Sequence, residues 1–261
     1  MQASEQVVRE NYNALGLKLI ERMYSNDYLS IGGLASTDRL IRQANIGPDS
    51  QVLDVGSGLG GPAMHIAETV GCQVTGLDLL ALNVEKASER SEARSLAGRV
   101  RFTEGNATQM PFEDDQFSVI VGQDAWCHIP DRSALLGECA RTLVAGGVCA
   151  FTDWVVAEDV PTTERADMLA AAASPQMGST EEYMVLLPQH GFEVLQVDDI
   201  SATFVRQYRQ IMTELERSRE ALVEQSSLRV MDIVFAKNNT ILRAFERGWM
   251  GGLSVVARHV G

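Results

Sequence analysis

Apolar residues recur at helical spacing over 4–24 (Val7, Val8, Leu15, Leu19, Ile20 and Met23) and predict an N-terminal helix. The pattern breaks at Ile31-Gly32-Gly33, after which Ser36-Thr37-Asp38 offers a cap for a helix over 38–45. Beyond the turn chemistry of Pro48-Asp49-Ser50 the period changes. Short apolar runs predict strands over 51–55, 73–77, 100–104, 117–121 and 147–152, with helices over 61–70, 81–97 and 133–143 between them. A strand that alternates with a helix at this pitch implies a parallel sheet covered on both faces.

The last third of the chain has a different rhythm. Residues 155–187 read as helices and loops, 192–197 as a strand, 202–225 as a long amphipathic helix, 228–247 as a further helical stretch and 253–258 as a final strand. The late strand pair is expected to close the sheet, and the helices of 155–187 and 202–247 to form a lid. With no repeat, low-complexity stretch or Pro/Gly-rich linker, the expectation is one domain: a helical cap over 1–45, a core over 46–153, then lid helices and closing strands over 154–261.

The strongest local feature is Val52-Leu53-Asp54-Val55-Gly56-Ser57-Gly58-Leu59-Gly60-Gly61, a strand that runs through acid-x-Gly-x-Gly-x-Gly into a helix. Glycine permits the tight turn and the close approach of a ligand to the backbone. The second strand ends on Gly76-Leu77-Asp78, where an acid meets ribose hydroxyls in nucleotide-binding sheets. Dinucleotide enzymes share this geometry, but Asp54 inside the loop would repel a pyrophosphate and suits a cationic amino-acid tail. Glu104-Gly105-Asn106-Ala107 follows the third strand, placed to reach an adenine edge, and Gln123-Asp124-Ala125 ends the fourth.

On these residues, 51–153 resembles the class I S-adenosylmethionine-dependent methyltransferases. Asp54, Gly56, Gly58 and Gly60 match the family's glycine motif, and Asp78 its ribose-binding acid. Asn106 stands where the family usually has Asp, and Leu143-Val144-Ala145-Gly146-Gly147 resembles its Leu-Lys-Pro-Gly-Gly signature with Val144 and Ala145 substituted. The resemblance implies an α/β fold, a Rossmann-like doubly wound, mostly parallel sheet with helical lid insertions. It implies S-adenosyl-L-methionine as cofactor, held by Leu29, Ser30, Asp54, Gly56, Gly58, Asp78, Leu79, Asn106, Ala107 and Gln123. Another Rossmann binder, or a regulatory module that holds the cofactor without chemistry, is the alternative.

Tyr28-Leu29-Ser30-Ile31-Gly32-Gly33 and Gln123-Asp124-Ala125-Trp126-Cys127-His128 are similar to segments of phosphoethanolamine methyltransferases and of sarcosine/dimethylglycine N-methyltransferases. Tyr12 stands at the spacing of that group's catalytic tyrosine. Near Ala173, Ser174, Pro175 and Gln176 there is no basic cluster for a phosphate dianion, which favours the glycine-derived amines over phosphobases. The reading that follows is methyl transfer to a small-molecule amine by in-line displacement. His128 serves as base because histidine titrates near neutrality, with Tyr12 and Asp124 beside it. Trp126 either walls the acceptor pocket or fills the core. Arg206 and Arg209, one turn apart, either clamp a substrate carboxylate or form a solvated helix face. The alternative acceptor is a lipid, isoprenoid or natural product methylated at carbon or oxygen, which the methionines of the lid would suit.

Composition narrows the partners. Lys plus Arg is 22 and Asp plus Glu is 35, a net charge of −13. Such a balance repels nucleic acids and anionic membranes. Cys72, Cys127, Cys139 and Cys149 form no CxxC pair, and neither they nor Asp114-Asp115 suggest a metal site. No secretory leader or spanning segment is expected, so the chain reads as a cytoplasmic monomer or homodimer without a metal.

Overall fold

The computed structural model describes residues 6–7, 10–11, 17, 20–21, 23–24, 27–174 and 176–261. The described residues before Asp27 that carry regular structure are helical. From there the chain runs α1 (Gly33–Gln43), β1 (Gln51–Val55), α2 (Gly61–Val70), β2 (Gln73–Asp78), α3 (Ala81–Ala93), β3 (Val100–Glu104), β4 (Phe117–Gln123), a short 3₁₀ turn (Trp126–His128), α4 (Arg132–Thr142) and β5 (Leu143–Val156). It continues through α5 (Thr162–Ala171), α6 (Thr180–Gln189), β6 (Phe192–Asp199), α7 (Ser201–Arg217), α8 (Arg219–Gln225), α9 (Leu228–Glu246) and β7 (Met250–His259).

The strands form one seven-stranded sheet in the order β3-β2-β1-β4-β5-β7-β6. The pairs from β3 across to β5 are parallel, whereas β7 is antiparallel to both β5 and β6. The order reverses direction between β1 and β4, and ligands of open α/β sheets bind outside the carboxyl ends of the strands at such a switch point.

Side-chain alternation along the strands feeds two core layers. Leu53 and Val55 of β1 join Leu135, Leu136, Phe151, Tyr183 and Leu187 on one face. Val52, Val119 and Val121 join Leu40, Ala63, Met64 and Ile66 on the other. A third cluster lies at the carboxyl end of β5, where Trp154 joins Phe204, Tyr208, Met231 and Phe245 of the late helices. Side-chain caps set several helix starts: Asp131 Oδ1 accepts from the Ala134 amide at 2.9 Å, Ser179 Oγ from Glu182 at 3.2 Å, and Ser227 Oγ from Val230 at 3.2 Å.

The structure corrects the sequence expectation in four places. First, α1 begins at Gly33, so the Gly-Gly pair opens the helix. Second, β5 extends beyond 147–152 at both ends: its last residues pair with β7, and at its start the register against β4 jumps between Phe117 and Val119, so that the Gly146-Gly147 stretch is absorbed as an irregularity inside the strand. Third, the helix expected over 202–225 is two, with Ser218 at the break. Fourth, α6 is not part of the lid: its Tyr183 and Leu187 belong to the layer beneath the sheet, next to α4.

Candidate active site

The glycine loop joins β1 to α2 at the switch point. Gly56 and Gly60 have φ of +81° and +85°, a region costly for residues with a Cβ. A Cβ on Gly56 would also lie 2.5 Å from that of Ala125, and one on Gly60 would lie 2.6 Å from the Phe102 ring. The loop amides are tied to the end of β2: Gly56 and Ser57 donate to the Leu77 carbonyl at 2.8 and 3.0 Å, and Gly58 donates to Asp78 Oδ2 at 2.8 Å. Asp78 Oδ1 accepts from the Leu80 amide and from Asn83 Nδ2, each at 3.0 Å. Burial raises the Asp78 carboxyl against these lowering hydrogen bonds.

Beneath the loop, Asp54 is 1% exposed and neither carboxylate oxygen has a hydrogen-bond partner. Desolvation, reinforced by Asp78, raises its pKa to about 7. An unpaired buried carboxylate is costly, and a cation arriving beside it relieves that cost.

Two cavities meet above this loop. The first, about 120 Å³, is lined by Leu29, Gly56, Gly58, Asp78, Leu79, Asn106, Ala107 and Gln123 among others. The second, about 220 Å³, lies between Trp154, the end of α5, Tyr208 of α7, α9 and the N-terminal helical residues Ile20, Met23 and Tyr24. Leu29, Asp124 and His128 line both.

Asp124 follows β4 with φ +55°, a strained conformation for aspartate that the surrounding bonds hold. Its Oδ2 accepts from the Ile31 amide at 2.9 Å, and its Oδ1 from Thr152 Oγ1 at 2.7 Å. Burial nevertheless lifts its pKa to about 6. Gln123 Nε2 donates to Ser30 Oγ at 2.7 Å and to the Gly33 carbonyl at 2.9 Å, while its Oε1 accepts from Thr37 Oγ1 at 2.8 Å. Ser30 therefore stands behind the cavity wall and holds Gln123 there.

His128 closes the 3₁₀ turn. Its Nδ1 faces the Ala173 carbonyl at 3.1 Å, and because a carbonyl only accepts, Nδ1 carries the hydrogen and the neutral ring has its lone pair on Nε2. Burial lowers the His128 pKa from its ordinary value. The turn is gripped at the preceding residue as well. Asp153 Oδ1 accepts from the Cys127 amide at 2.9 Å, and the Ser174 hydroxyl donates to the Cys127 carbonyl. Asp153 is itself held by Tyr183 OH at 2.7 Å. Arg132, 6% exposed, donates to the carbonyls of Ile129 and Gln176 at 3.1 and 2.7 Å, fastening the turn to the segment after α5. Sequence reasoning missed Asp153, Ser174 and Arg132. Their role depends on which distant segment each meets.

For three residues the sequence left two readings open. Trp126 is fully buried, stacked on Phe151 with centroids 4.3 Å apart, and donates from Nε1 to the Val55 carbonyl at 3.1 Å. It is core, and Gly122 makes room for it, since a Cβ there would lie 2.4 Å from Nε1. Arg209 is 60% exposed on its side chain and pairs with Glu246 at 2.7 Å. Arg206 is exposed and reaches Thr203 Oγ1 at 3.2 Å. Neither arginine is on a cavity wall. Tyr12 lies outside the described residues. Among the described residues no cluster of potential ligands could hold a metal ion, and no helix is long and apolar enough to cross a membrane.

Comparison with known proteins agrees with this geometry. A family model described as a methyltransferase domain matches residues 53–151. The sarcosine/dimethylglycine N-methyltransferase of Halorhodospira halochloris is 31% identical over 172 residues, covering 66% of this chain and 62% of that protein. Phosphoethanolamine N-methyltransferase 3 of Arabidopsis thaliana is 26% identical over 249 residues, covering 95% of this chain and 50% of that protein. Among solved structures, Haemonchus contortus phosphoethanolamine N-methyltransferase 2, in complex with phosphomonomethylethanolamine and S-adenosylhomocysteine, superimposes with a TM-score of 0.90 at 20% identity, over 99% of this chain and 60% of that one. The chain thus spans only part of the length of the curated relatives it matches. The glycine loop and the switch point both fall within the stretch, residues 53–151, that matches the methyltransferase domain model.

Proposed function

We propose that this chain binds S-adenosylmethionine in the first cavity and transfers its methyl group to a small-molecule amine in the second. The observation that carries the reading is the shared wall: Leu29, Asp124 and His128 face both cavities, so a donor and an acceptor would meet there. The residues fit the cofactor. On the wall, Asp78 at the end of β2 suits ribose hydroxyls and Asn106 with Ala107 lies beyond it for the adenine, while Asp54, buried beneath the loop and off the wall, adds negative charge that favours an ammonium group. When bound, the cofactor supplies an electrophilic methyl on a sulfonium.

The protein's share of the chemistry is positioning and proton transfer. An ammonium nitrogen must lose a proton before its lone pair can take the methyl. His128, with Nδ1 committed to Ala173, takes that proton at Nε2, and its lowered pKa keeps it neutral and receptive at pH 7. Asp124 offers a carboxylate beside it for a remaining N–H. A sarcosine-type acceptor is the reading nearest to the relatives' names. Since Arg206 and Arg209 face away, its carboxylate would have to be met by Lys237, which lines the second cavity. A methyl acceptor with an apolar body is the second reading, favoured by the aliphatic and aromatic part of the same wall.

The test is release of S-adenosylhomocysteine with glycine, sarcosine, dimethylglycine, phosphoethanolamine, alkylamines and phenols. Turnover of amines is expected. In that assay His128→Ala should keep cofactor affinity within about twofold and lose 10²–10⁴-fold in rate, the usual worth of a positioned base. Full activity of His128→Ala would remove it from the mechanism.

A further inference from the structure

We infer that the acceptor is a lipophilic amine whose apolar body rivals the cofactor in bulk. This rests on the reading of the second cavity as the acceptor site. At about 220 Å³ that cavity exceeds the roughly 120 Å³ of the one assigned to the cofactor. A glycine-derived amine would leave most of the space to water. The wall is built for other contents: Ile20, Met23, Trp154, Val234 and Ile241 line it, and Ile233, also on the wall, keeps an apolar side chain 50% exposed.

Among the described residues, several polar groups of this wall already have partners. Tyr208 OH donates to Asn238 Oδ1 at 2.5 Å, and Asn238 Nδ2 to the Val234 carbonyl at 2.8 Å. Lys237 Nζ donates to Asn11 Oδ1 at 2.9 Å, and Gln6 Nε2 to Glu10 Oε1 at 2.8 Å. A small zwitterion would leave the aliphatic part of the wall uncovered, whereas an apolar body gains by covering it and leaves these pairs intact. The amine end of such a molecule belongs at Asp124 and His128, the groups on this wall that also face the first cavity.

The experiment is calorimetry on the whole chain saturated with S-adenosylhomocysteine, titrated with butylamine, hexylamine, octylamine and dimethylglycine, with turnover of each measured in parallel. Affinity should tighten about fourfold per added methylene, the value of burying one CH₂, and octylamine should bind well ahead of dimethylglycine. Val234→Phe, which narrows the cavity from a partly exposed position, should weaken octylamine at least tenfold and leave S-adenosylhomocysteine affinity unchanged. Affinity that is flat along the series, or dimethylglycine binding more tightly than octylamine, would overturn the inference. Rising affinity without methylation of any amine would uphold the size and polarity of the site and defeat the transfer reading. Methylation of dimethylglycine with no gain along the alkyl series would do the reverse.

Discussion

Asp54 gives the cofactor reading a sign and a size. Its carboxyl is raised to about 7 by burial and by Asp78, against a smaller lowering by the Ala63 amide, and among the described residues no basic side chain forms an ion pair with it. If a cationic group of the cofactor pairs with the ionised form, binding must remove the proton. At pH 7 a group with a pKa of about 7 is half protonated, so each binding event should release about half a proton. The ionised fraction falls from about one half at pH 7 to about one tenth at pH 6, so affinity should drop about fivefold over that unit and approach tenfold per unit below it. The same shift affects folding: a carboxyl raised in the folded state makes the unliganded protein lose stability as pH climbs from the ordinary aspartate range through 7, and cofactor binding should reverse part of that loss. Calorimetry of S-adenosylhomocysteine binding in two buffers of different ionisation enthalpy reads the proton count directly. Asp54→Asn should weaken binding at pH 7 and flatten its pH dependence. An affinity that does not change between pH 7 and 6, or an Asp54→Asn variant that keeps the slope, would refute the pairing and point to Asp78 or Asp124 instead.

Other perturbations bear on particular residues. Replacing Arg206 and Arg209 together with Ala should leave the Michaelis constant of any acceptor unchanged, because both side chains are in solvent; a large rise would restore the carboxylate clamp. Trp126→Phe leaves the Val55 carbonyl unpartnered in the core and should cost about 1–3 kcal/mol in urea denaturation without changing which acceptors are used. Ser174→Ala removes the hydroxyl that holds the Cys127 carbonyl and should lower kcat several-fold with KM unchanged, with partial rescue by Ser174→Thr; an unchanged kcat would make Ser174 a packing residue only.

The part of the fold legible in the sequence is the part whose signals are local. The strands β1 to β4 are short apolar runs bounded by turn residues, and Gly56, Gly58 and Gly60 announce a backbone that needs positive φ. Asp78, Asn106 and Gln123 follow because strand ends at a switch point face one side. Legibility stops where a partner decides. The extra length of β5 depends on pairing with β7, which returns about a hundred residues later. The second cavity is assembled from pieces near 10–24, 154, 171–173, 208 and 233–241, and no window contains that arrangement. Arg206 and Arg209 share a helix with Tyr208, but spacing alone does not say which face turns inward; Tyr208 is fully buried and the arginines are not. Trp126 was open to both readings, and the clue that it is core, Gly122 beneath its indole, becomes meaningful only with the strand in place.

The group that orients His128 is a main-chain carbonyl, that of Ala173, and not a side chain. Side chains at 171–173 also line the acceptor cavity. Substitution there can reshape what the cavity admits without deleting the bond that sets the imidazole tautomer. An ancestral gene built this way can be duplicated and its copies can explore new acceptors one residue at a time. Under the proposed function the proton-transfer group would be inherited intact at each step, so innovation in specificity need not pass through an inactive intermediate.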